Sequence, residues 1–279
     1  MIAVVCGVLA AGANAAQAML SKDLTRRAPA RQLIGVLYLC NALVLLPAAP
    51  FASWQWSPEI VGLHLLSVGC MIVAALSVWD LLAHGPASAT TMATALSPVP
   101  AAIGAALLLP GSVTPAQVVV AAAAVLAVVA SLDGAFGLLS RRGTLFRVAG
   151  AAIGTGLLTV LSRRLGDLGV GVVETYVVRT ALAAGLFVLA IPPRDVPPGE
   201  LPRLLVRSLA VTTYFVFVII GAQLGDPVVV QMLVATSPLV VLGAEALLER
   251  RLPPMRTVGG GAAVALGVAA VLLLAPARP

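Results

Sequence analysis

The residues of this chain with side chains suited to chemistry are few, and most of them sit inside apolar runs. Asn14, Gln17 and Ser21 follow i, i+3, i+7, and Thr90, Thr94 and Ser97 follow i, i+4, i+7. Thr212 and Gln223 are eleven residues apart, and Gln231 and Glu245 are fourteen apart. On a helix each set shares one face, the last pair within about 40°. Such faces line a hydrophilic path, or they only tie helices together, at ~0.6 kcal/mol per bond on average. For a single Ser or Thr the tie is the simpler reading. For Asn14, Gln17 and Gln231 both readings stand.

Ionisable groups inside apolar segments carry a second kind of chemistry. Asp80 closes the third apolar segment and Arg179 lies early in the seventh, which makes them the deepest of the set. Glu245 lies late in the ninth, with Asp133 and Glu249 nearer segment ends. Groups like these bind a charged substrate or relay a proton when they face a cavity; at a helix end they simply reach the headgroup region. Coupling to protons through Asp80 or Glu245, and uncoupled flow, are both open. Ser97-Pro98 and Ser237-Pro238 add a backbone feature. A proline leaves the carbonyl one turn earlier, around Thr94 and Val234, without its helical donor and permits a kink. Pro98 and Pro238 are therefore hinge candidates, or packing features.

Enzyme chemistry has no constellation to rest on. No His-Glu-x-x-His, serine elbow or metal-ligand spacing occurs, and the only two histidines, His64 and His84, lie at opposite ends of the third segment. Cys6, Cys40 and Cys70 fall in three different segments, an odd number that argues against a disulfide framework and reads as buried small hydrophobes. No cofactor or metal is implied.

The elements that must position these residues are membrane spans. Of 279 residues 60% are hydrophobic and 10% charged, against about 25% charged in soluble domains. Residues 32–58 and 81–132 contain no Asp, Glu, Lys or Arg. About 20 apolar residues cross a hydrocarbon layer, so the second run can cross twice. Breaks at charges, Pro and Gly predict spans over 2–20, 33–49, 60–82, 88–109, 116–138, 145–161, 173–191, 204–222, 228–248 and 257–275. A β-barrel would alternate over about ten residues and be rich in aromatics; aromatics here are 4%. No Lys or Arg precedes the first apolar run, so that run reads as a span and not as a signal peptide.

The chain repeats itself. Gly85 and Ser97-Pro98 meet Gly225 and Ser237-Pro238 at an offset of 140. Leu20-Ser21-Lys22-Asp23-Leu24 resembles Leu161-Ser162-Arg163-Arg164-Leu165 at 141. The expected organisation is two five-span halves, 1–140 and 141–279, and an odd count inverts one half relative to the other. Thirteen Lys and Arg lie in the odd-numbered connections, Arg207 counted among them, and three in the even connections and tail. The positive-inside rule then places both termini outside. Gly259, Gly260, Gly261, Ala263 and Gly267 give the last span a small-residue face for close packing, in one reading a homodimer contact.

Trp79-Asp80-Leu81-Leu82-Ala83-His84-Gly85-Pro86-Ala87-Ser88, running on to Leu96-Ser97-Pro98, resembles the third-to-fourth helix junction of the drug/metabolite transporter superfamily, EamA-type. Gly225-Asp226-Pro227 through Thr236-Ser237-Pro238 to Leu248-Glu249-Arg250-Arg251-Leu252 resembles its second copy, Gly12-Ala13-Asn14 the first-helix polar motif, and Arg179 the arginine of that family's second helix. The chain departs from the pattern in lacking a Trp before Gly12, in ending the first copy Leu109-Pro110-Gly111 without Glu, and in placing Leu248 where the motif has Gly. The resemblance implies an all-α protein of about ten spans in the cell (inner or plasma) membrane. It implies a secondary transporter, without ATP, that exports small polar metabolites by alternating access. It also implies cytoplasmic termini, opposite to the charge pattern. A non-transporting scaffold or accessory subunit is the alternative, and would not need polar faces on several spans. On the transporter reading the substrate cavity or coupling set is Asn14, Gln17, Asp80, Thr94, Ser97, Arg179, Gln223, Gln231, Ser237 and Glu245, with substrate and lipid as partners and no nucleic acid.

Overall fold

The computed structural model describes residues 1–27, 29–84, 91, 93–111, 113–131, 142–191, 198–248 and 255–273. Among them there is no strand. The α-helices are α1 (Ile2–Thr25), α2 (Ala30–Leu45), α3 (Pro58–His84), α4 (Pro98–Leu108), α5 (Pro115–Ser131), α6 (Arg142–Asp167), α7 (Val172–Ala190), α8 (Leu201–Leu224), α9 (Pro227–Val234), α10 (Ser237–Leu248) and α11 (Met255–Leu273). Seven spans among the described residues are long and apolar enough to cross a membrane, the last running through α9 and α10; 93–108 and 115–127 are shorter apolar helices. Gly85–Thr90, Asp133, Glu249–Leu252 and the side chain of Glu245 lie outside the described residues.

Proline and short polar side chains set the helix starts. Pro58, Pro115 and Pro227 open α3, α5 and α9, where a missing N–H costs nothing. Before α3, the Ser57 hydroxyl accepts from Ile60 N–H at 3.2 Å. At α5 a reciprocal box forms: Gln117 N–H donates to Thr114 Oγ1 at 3.3 Å and Thr114 N–H to Gln117 Oε1 at 2.7 Å. Asp226 Oδ1 accepts from Val228 N–H at 2.8 Å at the start of α9.

Helix ends are closed by cations. Lys22 Nζ donates to Leu82 O near the end of α3 at 3.0 Å. Arg163 Nη1 donates to Gln223 O near the end of α8. Basic side chains at a helix C-terminus satisfy its last carbonyls and the dipole together. Lys22 and Arg163 are equivalent positions of the sequence repeat, and the carbonyls they cap lie one position apart in it, since at the offset of 140 Leu82 meets Ala222, the neighbour of Gln223.

The packing repeats in the same way. α1 lies on α8 as α6 lies on α3, and α1 on α10 as α6 on α4; α2 pairs with α7, and α5 with α11. Exchanging the halves maps this set of contacts onto itself. Two glycines let α6 approach closely. A Cβ on Gly154 would meet Cys70 O of α3 at 2.6 Å, and one on Gly156 would meet Ser97 O, at the entrance to α4, at 2.6 Å. On α11, Gly267 uses its missing side chain inside the molecule: a Cβ there would meet Ala124 of α5 and Met232 of α9 at 3.0 Å.

Gly154→Ala and Gly156→Ala are expected to destabilise the protein by about 1–3 kcal/mol through backbone collision. Gly69→Ala, which faces open space, should be neutral. Thermal melting in detergent, followed by size-exclusion chromatography, checks the contrast.

Candidate functional site

The fourth and ninth spans are not continuous helices. Turns at 96–97 and 235–236 interrupt them, and α4 and α10 restart at the two Ser-Pro pairs. The structure thus goes further than the kink expected of Pro98 and Pro238. The serines repair the breaks identically: Ser97 Oγ lies 2.6 Å from Thr94 O, and Ser237 Oγ 2.6 Å from Val234 O. These are the two carbonyls whose i+4 donors the prolines remove, and Thr94 O also accepts from Ser97 N–H at 3.1 Å.

Each half also lends an amide to the other half's break. Asn14 of α1 donates through Nδ2 to Ser237 Oγ at 3.1 Å and to Thr94 Oγ1 at 3.3 Å. Gln231 of α9 accepts from Ser97 Oγ at 2.6 Å and donates to Thr159 Oγ1 of α6. Ser97 has one hydroxyl proton and two acceptors at equal distance, Thr94 O and Gln231 Oε1, so it serves one at a time. Asn14, Thr94, Ser97, Gln231 and Ser237 are all buried.

The network runs on to a cation. Gln17 Nε2 donates to Asn14 Oδ1 at 2.7 Å, and Gln17 Oε1 accepts from Arg207 Nη2 of α8 at 3.2 Å. Arg207 Nε donates to Ser21 Oγ at 3.0 Å, and the guanidinium lies 5.2 Å from the Trp79 ring centre. The side chains of Asn14, Gln17, Tyr38, Asn41, Trp79 and Arg207 line a cavity of about 60 Å³. A liquid water occupies ~30 Å³ and ligand pockets begin near ~300 Å³, so in this arrangement the cavity has room for waters and is small for a ligand.

The model of the EamA-like transporter family matches residues 1–132 and again 143–273. The chain belongs to the EamA-like transporter family. It is a multi-pass membrane protein built from two EamA repeats. A solved structure titled "Crystal structure of protein" covers 98% of this chain and 98% of its own at a TM-score of 0.72 and 20% identity, a likeness of fold. No curated protein matches the chain.

Six of the ten residues expected to form the EamA protein's cavity or coupling set meet at its centre: Asn14, Gln17, Thr94, Ser97, Gln231 and Ser237. Arg179 is 1% exposed but stands apart on α7, donating to Ser67 Oγ at 3.2 Å and Ser162 Oγ at 3.0 Å. Asp80 is 39% exposed and paired with Arg147, so this arrangement places it at a helix end and not in the cavity. Gln223 lies near the end of α8, donating to Val170 O at 3.0 Å. Thr212 is buried against the Tyr176 hydroxyl at 2.6 Å.

The sequence reading missed Arg207. Counted with the connection before the eighth span, it is 5% exposed in the second turn of α8. Helix α8 starts three residues before the predicted span, which carries Arg207 inward. The i, i+4, i+7 row Arg207, Val211, Tyr214, all lining the cavity, was the available signal.

A double-mutant cycle of Asn14→Ala and Ser237→Ala is expected to give a coupling of ~0.6–1.7 kcal/mol. Asn14→Ala with Gln223→Ala should give none, since no contact joins them. Unfolding in mixed micelles supplies the four stabilities.

Proposed function

We propose that this EamA protein is a secondary, ATP-independent transporter that exports small polar metabolites by alternating access through the central cavity. The observation that carries the reading is the exchange of amides. Asn14 of the first half holds the second half's Ser-Pro break, and Gln231 of the second half holds the first half's. A device that couples two broken helices at the middle of the molecule suits transport better than a passive scaffold.

The same reading takes the architecture as ten spans in two inverted repeats, 1–140 and 141–279. Contacts between connections support it. Arg27 pairs with Glu200 and Asp80 with Arg147, joining odd-numbered connections. Arg164 pairs with Glu59, and Glu174 accepts from Gln55 N–H at 3.2 Å, joining even-numbered ones. Spans that alternate in direction produce this sorting. Five spans per half then invert the second half, as in other transporters with midplane sites.

The basic, odd side faces the cytoplasm of a cell membrane on this reading, and the termini lie outside. A second small cavity, sharing Asn14, Gln17 and Thr94 with the first, reaches Ser21, Leu82 and Thr91 on that side, which favours loading from the cytoplasm and hence export. Pro98 and Pro238 act as the hinges.

Reconstituted protein should show saturable counterflow of a polar metabolite, reduced at least ~10-fold by Asn14→Leu or Gln231→Leu if the network is part of the path. No flux across a broad panel of polar metabolites would favour the scaffold reading. In a background free of cysteine, a membrane-impermeant maleimide added to intact cells should label Phe51→Cys and spare Arg27→Cys. The reverse labelling would turn the orientation over.

A further inference from the structure

Arg207 is a buried cation whose charge no described carboxylate balances. Its Nε and Nη2 donate to neutral oxygens of Ser21 and Gln17, and buried Nη1 finds no acceptor among the described residues. The nearby ion pairs use other arginines: Arg147 with Asp80, Arg27 with Glu200. A guanidinium without a counter-charge in a low-dielectric interior is costly, and such residues in membrane proteins mark ligand paths. Here it lines the central cavity together with Tyr38, Asn41 and Tyr214.

We infer that Arg207 is the binding residue for an oxyanion, so that the exported metabolite carries a carboxylate or phosphate group. The inference rests on the transporter reading and names its substrate class. A guanidinium presents a planar fork of donors that matches both groups. Ser21 and Gln17 hold two of its nitrogens, the Trp79 ring lies against the guanidinium, and Nη1 remains to donate to the ligand. Asn41 Oδ1, buried and without a donor, lines the same cavity and accepts from a hydroxyl or ammonium elsewhere on the molecule. Arg179 is not part of this site: it does not line the cavity, and Ser67 and Ser162 engage it.

The test uses the full-length protein with Trp54→Phe and Trp56→Phe, which leaves Trp79 as the sole tryptophan of three. Succinate and glycerol 3-phosphate are titrated at constant ionic strength, against neutral glycerol and cationic choline. A saturable change in Trp79 emission is expected with at least one oxyanion, and the better of the two identifies the group. Affinity should fall at least ~10-fold in Arg207→Gln and less in Arg207→Lys, as for loss of a charge-assisted hydrogen bond. Protection of Arg207 from phenylglyoxal by the same compounds, read by peptide mass, gives the answer without a variant. Equal responses to glycerol and choline, unchanged oxyanion affinity in Arg207→Gln, or no protection would overturn the inference. Flux of neutral solutes alone sinks it and leaves the transporter reading standing. Oxyanion binding without flux does the opposite.

Discussion

Everything at the centre of this molecule follows from one constraint: inside a membrane, a backbone carbonyl that loses its helical donor must find another within the protein. Pro98 and Pro238 withdraw the donors of Thr94 O and Val234 O. Ser97 and Ser237 supply replacements from the adjacent residue. Once a serine proton is committed to its own helix, its oxygen accepts from elsewhere, and at Ser237 the donor is Asn14 Nδ2. Two proline breaks thus draw α1, α6 and α9 into one network. Apolar side chains alone would not select these partners, because lipid offers them the same environment.

The two-fold relation is close in the backbone and looser in the chemistry. Lys22 and Arg163 do the same work at equivalent helix ends. Ser21 and Ser162 each accept from a buried guanidinium, yet the guanidinium comes from α8 in one case and from α7 in the other. At the offset of 140 the partner of Arg207 is Ser67, which itself touches Arg179. Each repeated serine therefore holds one buried arginine, and the second half supplies both, from α7 to its own serine and from α8 to that of the first half. Only the one on α8 lines the central cavity, so a symmetric scaffold carries an asymmetric site.

How much of this was legible depended on whether the signal was local. Composition and uncharged runs pointed to an all-helical membrane protein, of which seven spans stand among the described residues, because solvation acts on each segment separately. The Ser-Pro register gave the two breaks, since a missing N–H is a property of one residue. The polar faces of α1 and of the expected fourth and ninth spans gave five residues of the network, and the Ser-Pro register added Ser237. Asp80 and Arg207 went astray together for one reason. Both lie within a few turns of a helix end, where sequence does not say whether a side chain turns inward or toward the rim. Asp80 finds Arg147 at the rim; Arg207 finds Ser21, Gln17 and Trp79 within. Depth there is decided by neighbouring helices, and those bring in residues far along the chain, Arg147 to Asp80 and Ser21, Gln17 and Trp79 to Arg207.

Alternating access requires two arrangements close in energy, and the distribution of bonds suits that requirement. The central contacts are neutral amide and hydroxyl bonds, each exchangeable, as the two acceptors of Ser97 illustrate. Interhelical bonds of this kind contribute only ~0.6 kcal/mol on average, so exchanging a few leaves the total nearly unchanged. The cationic caps sit instead near the two ends: Lys22 on Leu82 at one, Arg163 on Gln223 at the other. On the inverted reading these caps are counterparts across the midplane, and a motion that loosens one is mirrored by a motion that loosens the other. The cost of opening either side is then similar by construction. On the transporter reading the charge in the cavity breaks the tie, because Arg207 of α8 bonds Gln17 and Ser21 of α1, and a change in its pairing acts on the α1–α8 contact before its counterpart between α3 and α6.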